Sequence, residues 1–254
     1  MKKLDYTIVT PSRKRTHLIT HYQQLVPSAV ICVDEREYDD YAPLVPKEKL
    51  LVHPPMDGLH RIINWMQDAI DSEILISIDD DLRCVQRNVG KRKRFFRSDD
   101  ILQIIENSAR CADDIGCSTF TWSKTGNAML LAAEYRPFHP VQSISGALGI
   151  MGPARHRRYD TTLLARADVD WTLRTLLEDR FTMADLRYWF DFGRVYGGRG
   201  GNVGLVTPNK FKKVSIDIKN RWGKHVSYKP LFNKNRNVAA IRFQVSRYNP
   251  LAQR

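Results

Sequence analysis

Hydrophobic and polar positions along this chain alternate between two periods. Asp5–Thr10 (DYTIVT), Ala29–Val33 (AVICV) and Lys49–Val52 are short apolar runs of the kind that form strands, and Thr16–Leu25 between the first two is a helix candidate. In the stretch 59–70, Leu59, Ile62, Ile63, Met66, Ala69 and Ile70 recur at helical spacing and form one apolar stripe. Next comes Ile74-Leu75-Ile76-Ser77-Ile78, apolar on both faces of an extended chain, as in a fully buried strand. Ser98, as N-cap, opens a predicted helix over 101–111, and Asp168–Leu177 is a further one. Ser118–Trp122, Val141–Met151 and Tyr188–Val195 read as strands, as do patches around Val214–Ile218 and Ala239–Val245. Strands alternating with helices predict an α/β fold with a mostly parallel central sheet flanked by helices.

The buried strand at 74–78 ends in Asp79, Asp80 and Asp81. Three adjacent carboxylates repel one another unless cations or donors compensate. At the C-terminal edge of a parallel strand, where α/β sheets bind ligands, a divalent metal is the natural compensator. In extended backbone Asp79 and Asp81 leave on the same side, which makes them the metal pair and sends Asp80 elsewhere. Other candidates also follow strands. Pro11, Ser12, Arg13 and Arg15 form a loop able to contact phosphates or a base, or an ordinary surface loop. Asp34 is placed to accept from a base or ribose, or to sit in a solvated turn. Asp168 and Asp170 stand at a helix start. Asp170 fits a capping or dipole role, whereas Asp168, just outside the helix, is a candidate general base.

Charge sharpens the picture. The chain of 254 residues has a formal net charge of +12, and from Gly201 to Arg254 twelve lysines and arginines face one acid, Asp217. Arg83–Arg97 adds a second acid-free basic run that includes Lys91, Arg92, Lys93 and Arg94. Such clusters suit a polyanionic partner, or a plain solvated basic face. Lys91–Arg94 together with Lys210, Lys212, Lys213, Arg221 and Lys224 are the nucleic-acid candidates, with Phe95, Phe96, Trp222 and Tyr228 able to stack on bases or to join the core. The chain organises as residues 1–200 plus a basic extension, 201–254, packed on the same domain. Nothing approaches the roughly 18 uninterrupted apolar residues of a membrane span, and the N-terminus has no signal-peptide pattern, so the expectation is cytoplasmic. Cys32, Cys84, Cys111 and Cys117 lack zinc-type spacing and read as reduced thiols; His139, His156 and His225 likewise lack metal-ligand spacing. The glycine-rich segment Tyr196–Gly204 is either a flap carrying Arg199 or a hinge.

The order of these motifs across about residues 5–195 resembles a GT-A-fold nucleotide-sugar glycosyltransferase. It runs from a strand into Pro-Ser-Arg, through strand-Asp34-Glu35, a helix carrying Asp57-Gly58 and Arg61, and strand-Asp79-Asp80-Asp81, to Asp168-x-Asp170 before a helix. The resemblance implies that Asp79 and Asp81 match the DxD motif and hold Mn2+ or Mg2+ with the donor diphosphate. It implies that Pro11, Ser12, Arg13, Arg15, Asp34, Asp57, Gly58, Arg61, Asp79 and Asp80 line the donor site, with a UDP-sugar expected, and that Asp168 is the acceptor base of an inverting enzyme. Ala167 stands where many relatives carry Glu. Within the fold, the compact size and the IDDD strand look most like the DNA-base glycosyltransferases of base J synthesis and phage DNA hypermodification. That branch implies a hydroxymethylated pyrimidine in DNA as acceptor and no membrane partner. The alternatives are a glycan, lipid or protein acceptor, a non-catalytic nucleic-acid-binding protein, or a metal nuclease.

Overall fold

The computed structural model describes residues 3–89, 92–123, 125–126, 136–140, 143–144, 146–163, 165–192, 207–229 and 240–243. Lys91, the glycine-rich segment 196–204 and the side chain of Tyr228 lie outside the described residues. The strands are β1 (Tyr6–Pro11), β2 (Val30–Asp34), β3 (Leu50–His53), β4 (Ile74–Ile78), β5 (Leu82–Val89), β6 (Arg92–Phe95), β7 (Thr119–Ser123), β8 (Phe138–His139), β9 (Ala147–Met151), β10 (Met183–Phe192), β11 (Val226–Lys229) and β12 (Ala240–Phe243). The helices are α1 (Thr16–Leu25), α2 (Tyr38–Tyr41), α3 (Leu59–Ala69), α4 (Ser98–Asp114), α5 (Ala167–Glu178) and α6 (Pro208–Trp222).

Ten strands form one sheet in the order β3-β2-β1-β4-β9-β7-β10-β5-β6, with β8 paired to β10. The block β3-β2-β1-β4 is parallel, as the alternation with helices requires. β9 is antiparallel to both neighbours, β4 and β7, while β10 runs parallel to β7 and antiparallel to β5. β11 and β12 make a separate antiparallel pair.

Side-chain alternation divides the sheet's two faces between two cores. Ile8, Ile31, Val33, Ile74, Ile76 and Ile78 point into one, where α1 and α4 supply Ile19, Tyr22, Ile101 and Ile105. Val9, Cys32, Leu75, Leu148 and Ile150 point into the other, covered by Ile62, Ile63 and Met66 of α3 and Trp171 and Leu173 of α5. All five residues of β4 are buried, in keeping with its unbroken apolar run. Buried polar bonds fasten the periphery. Ser108 Oγ donates to Asp185 at 3.0 Å and accepts from Trp122 Nε1 at 3.0 Å, and Arg157 bonds Thr175, Glu178 and Asp179.

The segment expected as a strand around Val214–Ile218 is helical instead. Its alternating β-branched residues mimic a strand, but Pro208 sits in the first turn and the Thr207 hydroxyl accepts from Lys210 N at 3.3 Å, a good N-terminal cap. Phe211, Val214 and Ile218 then share the stripe that joins the second core. Ser98 is the first residue of α4 rather than its cap; the Arg97 amide donates to Asp100 at 3.5 Å.

Candidate active site

The loop after β1 and the turn after β4 meet at the sheet's edge. Ser12 extends β1 through its amide to Cys32 O (2.9 Å). Its hydroxyl donates to Asp80 Oδ2 at 2.7 Å and lies 2.8 Å from the Tyr41 hydroxyl, which in turn accepts from Arg15 N at 3.1 Å. Arg15 Nη1 donates to Asp80 Oδ1 at 2.7 Å and stands 3.5 Å from Asp81 Oδ2. Asp80 is buried, 4% exposed, and committed to this loop.

The acidic triplet is a turn, not an extension of β4. The alternation argument that put Asp79 and Asp81 on one side therefore does not apply, because turn backbone does not alternate. Asp79 faces inward, and its amide donates to Gly146 O at 2.7 Å. Burial first, then Asp81 and Asp80, hold the Asp79 carboxyl well above the ordinary carboxylate range; Arg15 opposes the shift and Asp168 adds to it. Asp80 is raised as well, burial outweighing its bonds to Ser12 and Arg15. Three adjacent carboxylates with one guanidinium, which pairs with Asp80 and Asp81, leave excess negative charge, and a divalent cation fits that imbalance. Among the described residues no group of three or more His, Cys, Asp or Glu side chains is arranged to hold a metal ion. A pair of carboxylates suits an ion completed by water and phosphate oxygens, as Mg2+-type sites are.

Asp168 lies in the first turn of α5, half-buried, not in the preceding loop as expected. It and Asp79 both act electrostatically on Tyr159, whose phenol is held well above its usual value chiefly by burial. The acid of the late helix and the acid of the triplet, about ninety residues apart in sequence, therefore lie within electrostatic reach of one another. Asp170 has a different place. It is 1% exposed, accepts from Arg221 Nη1 and Trp222 Nε1, each at 3.0 Å, and lies 3.0 Å from Arg174 Nε. Its Oδ1 takes both donors while Oδ2 lies beside Arg174 without a hydrogen bond, so the structure gives Asp170 the place of a buried ion-pair partner within the packing of α5 and α6.

The remaining donor-site candidates form a neighbouring cluster. Asp34, at the end of β2, is gripped by Arg36 through Nε (2.7 Å) and Nη2 (2.5 Å) and accepts from Met56 N at 3.4 Å. The Arg36 bonds, the largest influence, hold its carboxyl well below the usual range. Arg13 Nη2 pairs with Asp57 at 2.8 Å, and Asp57 lies 3.8 Å from Arg36. Gly58 has φ +99°, left-handed backbone that an L side chain adopts only with strain, and its carbonyl accepts from Arg61 N at the start of α3. Pro11 is buried at the end of β1, and Arg61 is exposed on α3.

The basic candidates fall on separate elements. Arg92, Lys93 and Arg94 are exposed on β6, the edge strand, where Arg94 faces Arg87 across the pair. Phe95 is 61% exposed, whereas Phe96 packs edge-on to Tyr188 at 5.6 Å. Lys210, Lys212, Lys213 and Lys224 are exposed on or just beyond α6. Arg221 instead binds Asp160 at 2.7 Å as well as Asp170. Trp222 packs against the second core rather than standing free to stack.

Sequence reasoning missed Tyr41, Tyr159, Arg36 and Gly146, which reach the site by tertiary packing. A polar contact from Tyr41 or a close approach at Gly146 leaves no periodic mark in the chain.

Comparison with known proteins gives the fold a context. No protein-family model and no curated protein matches the chain. Among solved structures, glucosyl-3-phosphoglycerate synthase from Mycobacterium tuberculosis in complex with UDP aligns with a TM-score of 0.52 at 12% identity, covering 94% of this chain and 87% of that one. The same synthase with Mn2+, UDP-glucose and phosphoglyceric acid aligns at 0.50 and 12% identity, covering 94% and 86%. S. aureus TarS 1–349 in complex with UDP-GlcNAc aligns at 0.51 and 11% identity, covering 85% of this chain and 67% of that one. At these identities the likeness is one of fold. The fold is GT-A-like α/β, as the motif order implied. Among the described residues no helix is long and apolar enough to cross a membrane.

Proposed function

We propose that this chain is a metal-dependent glycosyltransferase that uses a nucleotide-sugar donor. The observation that carries the reading is the acidic turn after β4: Asp80 and Asp81 share one guanidinium, Arg15, with Asp79 next to them in the chain, at the C-terminal edge of a parallel strand. Neighbours in fold whose structures contain UDP, UDP-glucose with Mn2+, or UDP-GlcNAc support it.

Asp79 and Asp81 would hold Mn2+ or Mg2+, which when bound offsets charge on the donor diphosphate. Asp80, locked to Ser12 and Arg15, fixes the loop over the donor phosphates. Asp57, exposed although paired with Arg13, is the base or ribose contact, since Arg36 occupies the buried Asp34 carboxylate. Asp168 takes the proton of the acceptor hydroxyl. The acceptor oxygen then attacks the anomeric carbon as the bond to the diphosphate breaks, with inversion.

The acceptor we favour is a hydroxymethylated pyrimidine in DNA, and the donor a UDP-sugar. Support comes from the exposed cations of β6 (Arg92, Lys93, Arg94) and of α6 and its end (Lys210, Lys212, Lys213, Lys224), which suit a phosphate backbone. The second reading, a different anionic acceptor, rests on the same cations. The test is transfer from a panel of UDP- and GDP-sugars, with Mn2+, to hydroxymethylated DNA, plain DNA, and acidic glycan or small-molecule acceptors. Product on hydroxymethylated DNA alone supports the favoured acceptor, product on another acceptor selects the second reading, and no product on any acceptor rejects transfer.

A further inference from the structure

The α6 helix contacts the start of α5 on both sides of Asp168. The residue two before it, Arg166, is the N-cap of α5 in left-handed backbone, φ 59° and ψ 16°, a conformation that costs a non-glycine residue on the order of 1–3 kcal/mol. Its guanidinium lies over the Phe211 ring, 4.5 Å from the centroid. The residue two after it, Asp170, accepts from Trp222 Nε1 and Arg221 Nη1 at 3.0 Å each. Phe211 and Trp222 are eleven residues apart, close to three helical turns, so both lie on the inward stripe of α6 with Val214 and Ile218. Arg221 also ties in Asp160 at 2.7 Å, in the segment that carries Tyr159. Ala167, Val169, Asp170, Trp171 and Thr172 are buried, while Asp168 in their midst remains half-buried.

We propose that α6 is a splint for Asp168, with Phe211 and Trp222 as positioning residues that hold the first turn of α5 in place. This rests on the reading of Asp168 as the acceptor base, and it reassigns Asp170 and Arg221 to the support of that base. A left-handed N-cap has to be over-determined by its surroundings, and the stack on Phe211 supplies part of that. Asp170 is the anchor below: one carboxylate oxygen takes both the Trp222 and the Arg221 donors. A catalytic group held from both sides keeps the geometry that proton transfer needs, and small misplacements cost large rate factors.

Trp222→Phe keeps the ring and deletes the N–H; Phe211→Leu keeps apolar bulk and deletes the cation–π face; Phe211→Tyr restores that face. Two readouts are needed. Amide hydrogen exchange at Val169 and Asp170, whose N–H groups bond Arg166 O at 3.0 and 3.3 Å, reports the turn directly and needs no enzyme activity. Sugar transfer reports the base. We expect exchange at these amides to rise about tenfold or more in Trp222→Phe and Phe211→Leu, exchange in β1 and β4 to stay as in wild type, and Phe211→Tyr to restore protection. kcat falls about tenfold while donor KM stays within twofold. Unchanged exchange at Val169 and Asp170 overturns the splint, as does acceleration spread evenly over β1 and β4. A wild-type protein that transfers no sugar rejects the base reading instead, and the exchange data then decide the splint by themselves.

Discussion

Gly146 and the Asp79 carboxylate are in direct apposition: a β-carbon on Gly146 would stand 2.6 Å from Asp79 Oδ2 and 3.2 Å from its Cγ. The Asp79 amide donates to the Gly146 carbonyl at 2.7 Å, so backbone pairing and carboxylate placement are fixed by the same glycine. Gly146→Ala therefore displaces the carboxylate without removing it. Mn2+ affinity is expected to fall about 10–100-fold, as for other supports of metal ligands, while the melting temperature changes little. Calorimetric titration with Mn2+ checks this, and undiminished affinity would count against Asp79 as a ligand.

The acidic turn sets a pH dependence of opposite sign to that of a paired carboxylate. Asp79 and Asp80 have carboxyls raised by burial and by one another, so the folded state holds protons that the unfolded chain releases. Their stabilising contribution is complete below the ordinary carboxylate range and is lost as pH rises through their raised values. Asp79→Asn removes most of that loss. It should melt above wild type at pH 7.5 in the absence of divalent ions, by about 2–4 °C for each kcal/mol recovered, with the difference shrinking toward pH 4. Mn2+ should raise the melting temperature of wild type at pH 7.5 and leave Asp79→Asn unmoved. A scanning calorimetry series at several pH values decides it.

Arg15 is the cation that two acids of the triplet share, 2.7 Å from Asp80 and 3.5 Å from Asp81. Arg15→Ala leaves the buried Asp80 carboxylate with less compensation. The expected cost at pH 7.5 is about 1–3 kcal/mol, and it should diminish toward pH 4, as the raised Asp80 carboxyl takes up its proton. Arg15→Lys recovers part of it, since an ammonium supplies the charge without the guanidinium's planar fork. Urea midpoints at the two pH values are the measurement; equal losses at both would show that Arg15 acts through packing alone.

Asp170→Ala strips the acceptor from Trp222 and Arg221 and the counter-charge from Arg174. Both arginines are partly exposed, so the loss should fall below that of a fully buried pair, at about 1–3 kcal/mol. Asp170→Asn, which keeps an acceptor for the Trp222 N–H, should lose less. Denaturant unfolding of the two variants gives the comparison, and equal losses would mean that the Trp222 bond contributes nothing.

Much of this was legible in the chain, for identifiable reasons. Ile74–Ile78 could hardly be anything but a buried strand, and acids at its end had to be compensated; both features follow from one unbroken apolar run. The stripe of α3 was equally plain. Val214, Ile216 and Ile218 misled because β-branched residues two apart imitate a strand, and the helix there is decided by the Thr207 cap and by packing of Phe211, Val214 and Ile218. Within the triplet, the split between Asp79 and Asp80 depends on Ser12, Arg15, Tyr41 and Gly146, which approach from other elements. Asp168 was placed outside its helix because its N-cap is Arg166 in left-handed backbone, a residue type that gives no capping signal.

The central claim is that the acidic turn after β4 binds a divalent ion together with a nucleotide-sugar diphosphate. Its most direct test is calorimetric titration of UDP and of UDP-sugars into wild type and Asp81→Ala, each with Mn2+ and with EDTA. Binding is predicted only for wild type with Mn2+, while Asp81→Ala retains the wild-type circular dichroism and melting profile. Equal nucleotide binding in EDTA, or by Asp81→Ala, would contradict the account.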